Sequence, residues 1–164
     1  MMTRERLIRL TAASIAIPVL LAAAPALSQE PRDIRRGEEQ AAPNPMKTFK
    51  GIESAWQKED AKRLAGFVGK GRVHLDIKGV GDKGGYYSKS QVRYLFKDMF
   101  KADDQVSFEF VKFDDLENPD RKVYGIAYRS CKNNRSGKVF RDKVYVTLGR
   151  EGPAWVLAAI KTTR

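Results

Sequence analysis

Cysteine and histidine are almost missing from this chain. Its 164 residues hold one of each, Cys131 and His74. A lone cysteine cannot close an internal disulfide, so the folded part must be held by its core. One cysteine and one histidine also leave no cluster with metal-ligand spacing, and no nucleophile has a partner nearby in sequence. Acidic residues are in deficit, 20 against 31 lysines and arginines, for a formal net charge of +11. That balance suits weak association with anionic surfaces and simple solubility alike, and says nothing of fold. The basic residues are spread along the chain and form no single block. Long apolar runs are confined to the first 28 residues.

That first segment carries Arg4, Arg6 and Arg9 against Glu5, then an uncharged stretch from Leu10 to Leu27, closed by the mostly small residues Ala22–Ser28. A positive start, an apolar middle and a small-x-small end form the secretory pattern. Ala26-Leu27-Ser28 places cleavage before Gln29, and Ala24-Pro25-Ala26 is the alternative. A retained anchor is the competing reading. Thr11, Ser14 and Pro18 interrupt the apolar core, which falls short of the roughly 20 residues a span needs. With no cysteine at the cleavage point, lipid attachment there is excluded. The expected localisation is exported, periplasmic or secreted. No transmembrane segment is expected after cleavage.

Residues 29–43 hold two prolines and one large apolar side chain, Ile34. So little apolar surface cannot offset ordering entropy, and a disordered linker is expected. Residues 44–164 then form one domain, long enough for a real core.

Asn44-Pro45 reads as a helix start, with Met46, Phe49, Ile52, Ala55 and Trp56 at helical spacing. Asp60 caps a shorter helix carrying Leu64 and Ala65, which Gly69 and Gly71 end. Arg72–Ile77 alternates as a half-buried strand, with Val73, Leu75 and Ile77 on one face. A glycine-rich loop (78–85) and Tyr86-Tyr87 lead to Ser88 and Gln91, spaced as a capping box. The helix that follows, over 89–101, repeats Val92, Leu95, Phe96, Met99 and Phe100 on one stripe. Four strands then run in succession. They start with the alternating Val106, Phe108 and Phe110 and turn at Leu116–Asp120, Asn133–Gly137 and Glu151–Pro153. This order predicts an α+β fold: N-terminal helices and one long helix packed on a curved, mostly antiparallel sheet.

Several segments resemble the nuclear-transport-factor-2-like cone fold, which includes ketosteroid isomerase and scytalone dehydratase. More narrowly, they resemble an uncharacterised family of exported bacterial proteins with that fold, a domain of unknown function. The matching residues are Lys58–Ala65, Tyr87–Gln91 leading into Leu95–Phe100, Ser107–Phe110 and Lys143–Val146. The likeness covers nearly all of 44–164, and its motifs are caps, turns and core positions. It therefore implies a fold and no catalytic residue. The fold hosts enzymes, carriers and adaptors alike.

Candidate chemistry is sparse. Gly79–Gly84 spells GxGxxG after a strand, with Asp103 near the distance of a ribose-binding acid. The helix begins only at Ser88 and no second βα unit follows, so a loop whose glycines take positive φ is the expected reading, and no cofactor is expected. His74 and Asp76 share one strand face and could orient an imidazole as a base. Their alternation with Val73, Leu75 and Ile77 turns them toward solvent. Cys131 is expected to be a small buried hydrophobe and not a reactive thiol. Asn134-Arg135-Ser136 spells a glycosylation sequon, which the bacterial resemblance discounts. Aromatics (Tyr86, Tyr87, Tyr124, Tyr128, Phe140, Tyr145 and Trp155) among Lys122, Arg129, Lys138, Arg141 and Lys143 could stack single-stranded nucleic acid. Sheet packing is the ordinary role of such aromatics, and no specific nucleic acid is expected.

Arg129 shares its face with Ala127 and Cys131, where a guanidinium among small side chains would anchor an anionic ligand. With Tyr128, these give the expected ligand-binding set: Arg129, Tyr128 and Cys131. The leading function is a small exported, non-enzymatic binding or interaction domain using the cone cavity or the sheet face. The alternatives are an isomerase-, dehydratase- or cyclase-type enzyme with His74, Asp76 or Asp142 as base, and a basic protein of anionic surfaces. Partners consistent with this reading are a small anionic or apolar ligand, a protein, or a second copy paired through the sheet face. No metal is expected.

Overall fold

The computed structural model describes residues 44–80, 84–117 and 122–163. The expected signal (1–28) and linker (29–43) lie outside these residues. The elements run α1 (Pro45–Gln57), α2 (Ala61–Gly66), β1 (Val73–Asp76), β2 (Gly85–Tyr87), α3 (Lys89–Ala102), β3 (Asp103–Asp114), β4 (Val123–Asn133), β5 (Val139–Glu151) and β6 (Ala154–Thr162). The caps sit where the side-chain chemistry puts them. Asn44 Oδ1 accepts from the Met46 amide at 2.8 Å, and Asp60 Oδ1 accepts from the Arg63 amide at 2.9 Å. Ser88 and Gln91 form the reciprocal capping box that starts α3.

The six strands form one mixed sheet in the order β2-β1-β6-β5-β4-β3. β3 to β6 are an antiparallel meander, and β1 joins the last strand, β6, in parallel. β2 is a strand that the periodicity misses. Three residues are too few to show a period, and they pair in register with β1, His74 opposite Tyr86.

One face of this sheet carries the helices. Trp56 of α1 stacks on Phe108 of β3 (centroids 4.4 Å apart) and meets Phe96 of α3 edge-on at 5.1 Å. Phe49 lies edge-on to Phe110 at 5.1 Å. Gly125 makes room for both: a Cβ there would stand 2.7 Å from each ring. On α3, Val92, Phe96, Met99 and Phe100 are buried as the stripe predicts, whereas Leu95 is only half-buried at its margin.

The phase of β3 also differs from expectation. Register shifts occur between Gln105 and Ser107 and again between Phe110 and Lys112. The first sets Val106 out of the core and leaves it 62% exposed, while Phe108 is fully buried. An extra residue in one strand breaks the two-residue alternation, so a pattern read without the bulge puts Val106 on the wrong side.

Candidate functional site

The helix-covered face of β4 and β5 holds a buried ion pair. Arg129 is among the largest fully buried side chains of the described residues. Its Nε and Nη2 donate to Asp142 Oδ2 at 3.1 and 2.8 Å. Nη2 also donates to the Lys78 carbonyl at 3.1 Å, and Nη1 points at Met99 Sδ at 3.3 Å. The Phe140 ring lies 5.7 Å from the guanidinium carbon. The expectation of an unshared positive charge on this face is therefore corrected: Asp142 neutralises Arg129. A sequence signal for the pair existed. The Asn133 amide bonds the Lys138 carbonyl across the turn, and four residues back along each strand from that closure stand Arg129 and Asp142, opposite one another.

Cys131, two residues on, is buried, and its Sγ donates to Gln105 Oε1 at 3.1 Å. The same oxygen accepts from Trp56 Nε1 at 2.9 Å. Burial pushes the thiol above its ordinary value, and the Arg129 charge only partly opposes this. A group held in the neutral thiol form is a poor nucleophile.

The three acid–base candidates are not gathered. His74 and Asp76 pair in register with Ala159 and Lys161, on the sheet face turned away from the helices, and both are half-buried. The His74 ring meets Tyr86 edge-on at 5.1 Å. Asp142 instead lies buried with Arg129 across the β4–β5 pair. Nor do the ligand-binding candidates form one cluster. Tyr128 is 53% exposed on the outer face, while Arg129 and Cys131 are buried on the inner one. Among the described residues, no group of three or more His, Cys, Asp or Glu is placed to hold a metal ion. No helix among them is long and apolar enough to cross a membrane.

The outer face has its own chemistry, visible once the strand register is known. Tyr128 stands opposite Lys143 and Ser130 opposite Arg141, while Lys161 stands beside Tyr145. The Lys143 Nζ lies 5.2 Å from the centre of the Tyr145 ring. A hydrogen bond with Tyr145 raises Lys143 above its ordinary value, which keeps the ammonium charged. A groove of about 560 Å³ lies here, lined by Val106, Ser107, Tyr128, Ser130, Arg141 and Lys143. Arg129 and Asp142 also border it, but the Arg129 side chain has no exposed surface and cannot present its charge there. Glu109 of β3 stands opposite Tyr128.

No protein-family model and no curated protein sequence matches the chain. Solved structures do match in fold. A DUF4783 family protein from Bacteroides uniformis aligns at a TM-score of 0.57 with 15% identity, over 70% of this chain and 94% of that one. A ketosteroid isomerase-like protein from Erwinia carotovora atroseptica aligns at 0.55 with 14% identity, over 77% and 95%. A Catenulispora acidiphila protein with a ketosteroid isomerase-like fold, solved in complex with trimethylamine, aligns at 0.56 with 10% identity, over 71% and 83%. At these identities the likeness is one of fold. The chain carries a nuclear-transport-factor-2-like α+β fold, as the order of its elements implied.

Proposed function

We propose that the chain is an exported, non-enzymatic interaction domain that presents the outer face of its sheet to an acidic protein partner. The observation carrying this reading is the groove of the outer face, where Arg141 and Lys143 flank the exposed ring of Tyr128. An exposed aromatic between two cations offers apolar contact and charge complementarity together. The inner face speaks for the same choice. Arg129 and Asp142 satisfy one another there, which leaves neither as a free anchor or an available base. Self-pairing through this face would set Arg141, Lys143 and Lys161 against their own copies, and like charges in apposition oppose it.

Titration with poly-glutamate, followed by amide chemical shifts, tests the reading. The shifts should cluster on β4 and β5, and Arg141→Glu with Lys143→Glu should weaken binding by about tenfold or more. Shifts spread over the whole surface, or equal losses from Lys47→Glu with Lys50→Glu on α1, would reduce the interaction to net charge. Sedimentation showing a dimer that Tyr128→Asp dissolves would replace the acidic partner with a second copy.

A further inference from the structure

A second basic feature lies on the opposite side of the sheet, where α2, the segment after it and the first turns of α3 meet around a cleft of about 600 Å³. Four cations from three separate parts of the chain line it: Lys62 of α2, Lys70 of the connecting segment, and Lys89 and Arg93 of α3. Ser90 and Tyr94 stand beside them, and Tyr94 is 67% exposed. Among the described residues, no acidic side chain lines the cleft. The ion pairs found among the described residues are Lys112–Asp114 and Arg129–Asp142, so none of the four cations has a carboxylate within 4.0 Å. The nearest acid by bonding is Glu151, whose carboxylate accepts from the Lys70 amide at 2.9 and 3.2 Å and so is turned to main chain.

The start of α3 is not what makes this a site, because its capping box already engages the amides of Ser88 and Gln91. The cations do. Four like charges brought to one cleft, none of them ion-paired among the described residues, repel one another, and an anion placed among them relieves the repulsion. Lysine and arginine together suit a phosphate group: the guanidinium gives a two-pronged donor and each ammonium a mobile point charge. The exposed Tyr94 ring adds a flat apolar wall at one side, and the cleft has the volume of a small-ligand site.

We infer that this cleft binds a phosphorylated small molecule, its phosphate held by Lys62, Lys89 and Arg93 and its ring or chain laid on Tyr94. The site is separate from the outer sheet face, so the fate of either reading leaves the other standing.

The probes are inorganic pyrophosphate and phenyl phosphate, titrated calorimetrically into wild type, Arg93→Ala, Lys62→Ala/Lys89→Ala and Tyr94→Ala. Arg93→Ala and the double lysine variant should each weaken both probes by about tenfold or more. Tyr94→Ala should spare pyrophosphate and weaken phenyl phosphate. All four side chains are exposed, and circular dichroism checks that each variant is folded. Pelleting with phosphatidylglycerol vesicles but not phosphatidylcholine vesicles, lost in Arg93→Ala, would assign the phosphate to a lipid headgroup. Absence of binding to both probes and to both vesicles at millimolar phosphate overturns the inference. So do equal losses from the remote pair Lys132→Ala/Lys138→Ala.

Discussion

Arg129 and Asp142 are each tolerable in the interior only because of the other. Asp142→Ala would leave a buried guanidinium without its counter-charge, which costs about 3–5 kcal/mol in comparable buried pairs. Replacing both, as Arg129→Met with Asp142→Leu, removes the charge and the need for a partner together, and the pair of changes should cost less than Asp142→Ala alone. Urea unfolding of the single and double variants checks this. A loss below about 1 kcal/mol for Asp142→Ala would mean that water reaches the guanidinium. Cys131 adds a dependence on pH. Its thiol is raised in the folded chain above the ordinary value of 9.0, so above that pH the unfolded chain releases a proton that the folded chain retains. Stability should therefore fall as pH rises past about 9, with a slope that Cys131→Ala reduces. Thermal melts of both proteins between pH 7 and 10 would show the difference, and parallel curves would sink the assignment.

At the scale of elements, α3 is held to the core by the stripe of Val92, Phe96, Met99 and Phe100. Phe96 lies fully buried between Trp56 and Phe100, with ring centroids 5.1 and 5.8 Å away. Phe96→Ala should cost about 3–5 kcal/mol in urea unfolding, and a loss under about 1 kcal/mol would place this helix at the surface. The helices were legible because a cap, a stripe and a stop are local and coincide within each segment. β3 was only half legible, since a bulge is specified by how the partner strand sits and not by the residues that bulge. β2 was not legible at all, because three residues owe their conformation to β1. The site shares this division. Burial of Cys131 follows from its own face, but the state of Arg129 depends on the residue across the hairpin. The cations around the α2–α3 cleft lie up to 31 positions apart in the chain, and only the packing of α2 on α3 collects them.

At the scale of the molecule, the element order alone implied the architecture, because four consecutive strands after a long amphipathic helix leave few ways to cover one sheet face. Export is a separate proposal, resting on the sequence pattern of residues 1–28 alone. Protein isolated from its native host should begin at Gln29 or Leu27, and intact Met1–Ser28 found by mass spectrometry in the membrane fraction would refute cleavage. The parallel pairing of β1 with β6 bears on timing. The Lys78 amide bonds Thr162 Oγ at 3.0 Å across 84 positions of chain, and Leu75 pairs with Ile160. Closing so long a loop is entropically costly before the contact returns anything, so the β1–β2 ribbon should be the last part of the sheet to settle. Until it does, β6 is an uncovered edge with free amides and carbonyls, open to pairing with any extended chain it meets. On that order, a partly folded molecule should be most prone to strand pairing with other chains along Ala154–Thr162.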